Sequence, residues 1–115
     1  MTTTYENSEP NSKVRFEADM NHVRLIGTVA ASDGIKFAAS GQPLIRAKVR
    51  TETDGRASLH DVVIPGDLAV RHEHGLCLGA RVRVEGRLSC RFAERVRGVP
   101  TFVTEIVAES VEVAE

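Results

Sequence analysis

Apolar and polar residues alternate along most of this chain. Between Gly79 and Cys90, Val82, Val84, Leu88 and Cys90 share one face, with Gly86 among them. Arg81, Arg83, Glu85, Arg87, Ser89 and Arg91 share the other. A period of two predicts a strand with one buried and one wet face. Leu44 to Thr51 repeats the pattern: Ile45, Ala47 and Val49 point one way, Arg46, Lys48 and Arg50 the other. His22 to Ala31 is a further strand, with Val23 and Leu25 on one face. Gly27 in its middle predicts a bulge or sharp bend. Leu59 to Ile64 and Thr101 to Val113 complete the set of main strands.

Turn residues punctuate these runs. Ser32-Asp33-Gly34 and Ser40-Gly41-Gln42-Pro43 predict turns, with a brief return strand at Ile35 to Phe37 between them. Asp54-Gly55 is a strong hairpin signal. After Pro65-Gly66, Asp67 is a candidate N-cap for a helix of at most two turns. Leu68, Ala69, His72 and Leu76 carry its apolar spacing, and Gly75 is placed to end it. Phe92 to Pro100 predicts a hairpin loop holding Arg95 and Arg97. Three strands, a short helix and two strands predict an all-β fold: a five-stranded Greek-key barrel, the OB-fold. A β-sandwich is the alternative with the same elements.

Residues 1 to 19 are rich in Thr, Ser, Asn and Glu and read as a flexible tail. Val14, Phe16 and Ala18 alternate, so a short extra strand there is an open alternative. Residues 20 to 115 form the single expected domain.

Composition alters this picture little. Hydrophobic content of 42% and charged content of 27% are ordinary for a soluble protein. No apolar run is long enough to cross a bilayer, and Met1 to Pro10 has no apolar core of a secretory signal. Two cysteines do not make a disulfide framework. A reducing, cytoplasmic setting is expected.

Charge changes the picture more. The net charge is −1, yet Met20 to Thr104 holds thirteen basic and eight acidic side chains, a surplus of five. The balancing acids lie toward the ends of the chain. A strand that is apolar beneath and guanidinium-rich above is suited to phosphates. Arg46, Lys48, Arg50, Arg87, Arg91, Arg95 and Arg97 are therefore candidate phosphate-binding residues for a nucleic acid. Phe92 is the best stacking candidate and Phe37 a weaker one.

Signals for chemistry are sparse. His72, His74 and Cys77 fit no common zinc spacing, so no metal or other cofactor is expected. No phosphate-binding glycine loop, Gly-x-Ser-x-Gly or His-Glu-x-x-His is present, and no catalytic residue is assigned. Cys90, on the apolar side of its strand, is expected in the core.

Several ordered stretches resemble the bacterial single-stranded DNA-binding protein family. Asn21-His22-Val23-Arg24-Leu25-Ile26-Gly27 is similar to its opening strand. Ser40-Gly41-Gln42-Pro43 with Leu44 to Glu52 resembles its second turn and strand. His60 to Ala69, Leu78 to Leu88 and Thr104 to Val111 resemble its third strand, fourth strand and last strand. The resemblance implies a non-enzymatic homotetramer, nucleoid-associated in the cytoplasm. It would coat single-stranded DNA in replication, repair or recombination, with replication proteins as further partners. It also implies subunit contacts at His60, Val23 and Leu25.

Leu59 and Pro65 stand where members commonly carry Trp and Phe. Fewer stacking rings imply a greater reliance on phosphate contacts and hence steep salt dependence. Two other readings keep the same fold. One is a dimer similar to primosomal replication protein N, bridging a helicase. The other is a module that binds only proteins.

Overall fold

The computed structural model describes residues 14–114. Five strands run in the order β1 (Val23–Phe37), β2 (Pro43–Thr53), β3 (Arg56–Pro65), β4 (Arg81–Val96) and β5 (Val99–Val113), with helix α1 (Gly66–Arg71) between β3 and β4. They close into a barrel in the spatial order β1-β2-β3-β5-β4. All neighbours are antiparallel except β3 and β5, which pair in parallel through Val62, Val63, Ile106 and Val107. This is the OB-fold predicted by the alternation.

The inward positions form the core. Val29, Ile45, Val49, Val62, Ile64, Val82, Val84, Ile106, Ala108 and Val111 are buried together. They are mostly β-branched, which suits a pleated surface packed on one side. Ala69 of α1 and Leu76 after it close one end of the cluster. Pro65 holds the N-cap position with no side-chain bond, so Asp67 lies inside the first turn and does not cap it.

β1 differs from its expected form. Val23 to Phe37 is one continuous strand that bends at two register shifts, between Val29 and Ala31 and between Ser32 and Ile35. The bend therefore falls after Gly27, not at it. Gly27 serves a close approach instead: a Cβ there would sit 2.3 Å from the Arg50 carbonyl oxygen. Gly86 plays the same part on β4, where a Cβ would lie 2.0 Å from the Val107 oxygen. A bulge accompanies it between Glu85 and Gly86.

Residues 14 to 22 contain no strand, so the alternation of Val14, Phe16 and Ala18 does not add one. Residues 1 to 13, the greater part of the expected tail, lie outside the described residues.

The largest departure is in β4 and β5. Phe92 to Pro100 is no loop. The two strands stay paired to Val96 and Val99, leaving a two-residue turn at Arg97-Gly98. Both turn residues have positive φ, 53° and 82°, as a tight type I′ hairpin requires. Asp54 and Gly55, at 53° and 75°, make the matching turn between β2 and β3.

Candidate nucleic-acid interface

The inner ladder of β1 ends at Val23, opposite Gly86. Asn21 continues it by one step with its side chain: its amide donates to the Leu88 carbonyl at 2.9 Å, and its oxygen accepts from the Leu88 N–H at 2.8 Å. Beyond Leu88, β4 and β5 leave the barrel as a two-stranded ribbon. Its inward positions have lost the opposite wall. Leu88 and Cys90 are consequently exposed, which corrects the expectation of a core cysteine. Phe92 and Phe102 face each other on that same side, edge to face, with ring centroids 6.0 Å apart. They are 51% and 62% exposed.

The ribbon's other side faces a cleft. Ala31 and Asp33 of β1, Arg46 and Lys48 of β2, Asp61 of β3, Arg91 of β4, and Val103 and Glu105 of β5 line a cavity of about 220 Å³. Glu105 is the one buried charged residue among the described residues, 7% exposed. It accepts from Arg46 Nη1 at 2.9 Å and from Arg91 Nε at 3.0 Å. β2 and β4 are not neighbours in the barrel, so this carboxylate ties together opposite walls of the cleft.

Five further basic positions are also partnered. Lys48 sits opposite Asp61 in the β2–β3 register and donates to it at 2.5 Å. Arg50 bonds Glu52 at 3.2 Å, and Arg87 lies 3.6 Å from Glu109. Arg24 bonds Glu85, and Arg83 bonds Glu112. The guanidinium-rich faces read from the alternation are thus largely ion-paired. Cross-strand carboxylates neutralise most of the basic faces. These pairs are half exposed, and such pairs contribute only about 0–1 kcal/mol each. A phosphate can therefore take over the guanidinium, but the released carboxylate then draws a cation from solution.

Among the described residues, Arg15, Lys36, Arg56, Arg71, Arg81, Arg95 and Arg97 have no carboxylate partner. Arg95 and Arg97 are at the ribbon tip, where Arg95 donates to the Gly98 carbonyl at 3.2 Å. Phe37 is exposed at the end of β1, next to Lys36 and opposite Pro43.

The residues expected at subunit contacts, Val23, Leu25 and His60, are each partly buried within the chain. Val23 and Leu25 pack against the core, while Ile26, which follows Leu25, is exposed. His60 is half-buried, its Nε2 2.9 Å from Thr51 Oγ1. The β1–β2 ladder begins at Thr28, so Val23 to Gly27 is paired along one edge only.

The structure thus brings Arg46, Lys48 and Arg91 into one cleft. Phe92 lies on the other side of the ribbon from Arg91, with Arg95 and Arg97 at its tip. Phe37, Arg50 and Arg87 do not line the cleft. Sequence reasoning missed Phe102 and Glu105. Extending the hairpin register back from Gly98 would have set Phe102 against Ala93; a bulge between Phe92 and Glu94 moves it onto Phe92. No comparable signal marks Glu105, because its partners come from strands far away in sequence.

A closed five-stranded barrel, a helix between the third and fourth strands and a charged cleft beside a protruding hairpin define an OB-fold of the nucleic-acid-binding kind. A family model described as the single-strand binding protein family matches residues 20–114. The chain belongs to that family, and membership supports single-stranded DNA binding as its general activity.

Proposed function

We propose that the chain binds single-stranded DNA without acting as an enzyme, along the cleft between β1–β2–β3 and the β4–β5 ribbon. The observation that carries this is the pairing of the family match with a cleft where Arg46, Lys48 and Arg91 meet. Arg95 and Arg97 extend the phosphate path to the ribbon tip, with Lys36 beside Phe37 at the end of β1. Phe92 and Phe102 supply stacking surface on the ribbon's far side. A strand engaged at Arg91 reaches these rings over the edge of β4. From Ser89 onward β4 has no strand partner on that edge.

Self-association belongs to the same reading. The unpaired edge of β1 from Val23 to Gly27 and the exposed Ile26 support it, and a homotetramer is the expected assembly. Coating unpaired strands during replication, repair or recombination is the corresponding cellular role.

Fluorescence anisotropy with a labelled dT oligomer, against a duplex of the same length, tests the binding claim. Tight binding to dT and weak binding to duplex are expected. Absence of dT binding at low salt favours a module that contacts only proteins.

A further inference from the structure

Glu105 stands out as a buried carboxylate in a surface meant for a polyanion. Two guanidinium groups already satisfy it, and each is close to half exposed: 42% for Arg46 and 45% for Arg91. Arg46 uses Nη1 and Arg91 uses Nε. Among the described residues, Arg46 Nε and Nη2 and both Nη atoms of Arg91 have no protein acceptor. A guanidinium has five N–H donors in a fixed fork, so fixing one edge orients the rest. Glu105 comes from β5, and it lines the cleft together with both arginines.

We infer that Glu105 is a positioning residue that assembles Arg46 and Arg91 into one clamp for a single backbone phosphate. This rests on the proposed single-stranded DNA binding and adds to it a defined phosphate subsite. The unit of two arginines and one carboxylate keeps one net positive charge. It also holds two long side chains in place before the ligand arrives, which lowers the ordering entropy lost on binding. Neither arginine is expected to work alone, since each is aligned through the same carboxylate.

The sign of one substitution separates positioning from simple charge compensation. Glu105→Gln adds a net positive charge to the cleft. If Glu105 only neutralises, dT affinity rises. If it positions, affinity falls by roughly tenfold at moderate salt, the scale of one charge-assisted hydrogen bond. The slope of log K on log salt steepens at the same time by about 0.7. Thermal unfolding of each variant shows whether the barrel is intact.

Should Glu105→Gln fail to fold, Arg46→Lys and Arg91→Lys carry the test, because they keep charge and lose the fork. Each is expected to weaken dT binding by about tenfold, with the double variant little worse than either. Additive losses, or a Glu105→Gln chain that folds and binds as tightly as the unsubstituted one or more tightly, overturn the clamp and leave general DNA binding standing. Failure of the unsubstituted chain to bind dT overturns both.

Discussion

Two glycines show how single positions hold this barrel shut. At Gly86 and Gly27 a Cβ would fall 2.0 and 2.3 Å from a neighbouring carbonyl oxygen. The obstacle is backbone in both cases, so it cannot swing aside as a long side chain would. Gly86→Ala and Gly27→Ala should each cost about 3 kcal/mol, the upper range for overpacking. Urea unfolding with an unchanged m-value checks this; a loss under about 1 kcal/mol would show that the strands separate easily. The sequence hinted at Gly27 but for a different reason. A mid-strand glycine signals either a bulge or a close approach, and only the β1–β2 register distinguishes them. Charge partners were hidden in the same way. Alternation places Lys48 on the wet face, but only the β2–β3 register sets it opposite Asp61.

At the scale of elements, the barrel strands were legible because each has an opposite wall that rewards alternation. Val82 and Val84 are buried as their spacing requires, and Ile45, Ala47 and Val49 likewise. The same spacing misleads once β4 passes the barrel rim. Leu88 and Cys90 keep the inward phase but meet solvent. Phe92 and Phe102 follow them, and this gives the ribbon an aromatic side without a core to bury it. An isolated two-stranded ribbon has little stability of its own, so a pair of half-exposed rings is more valuable to a ligand than to the fold. Phe92→Ala and Phe102→Ala should each weaken dT binding by about 1–3 kcal/mol. Melting temperature should change little. Anisotropy and thermal scans on the same samples check both halves, and unchanged dT binding would remove the rings from the DNA path.

The whole molecule presents a compensated surface, not a uniformly basic one. Its salt response follows from that surface. Native mass spectrometry should show four copies of the 12.5 kDa chain. A stable dimer would favour the primosomal kind of relative, and a monomer would contradict assembly through β1.

Salt dependence measures how many positive charges reach phosphate without a carboxylate to offset them. On the proposed DNA path four qualify: Lys36, Arg95, Arg97 and the one net charge of Arg46, Arg91 and Glu105. Single strands lose roughly 0.7 in slope per phosphate neutralised, so log K for dT should fall with log salt at about −3. Seven unoffset basic residues, as the strand pattern alone would count them, give about −5. Anisotropy titrations of the full chain with a labelled dT oligomer over a series of salt concentrations decide between the two. A slope near −3 is the result expected of a cleft whose charges are largely paired. A slope near −5, or binding indifferent to salt, contradicts that account.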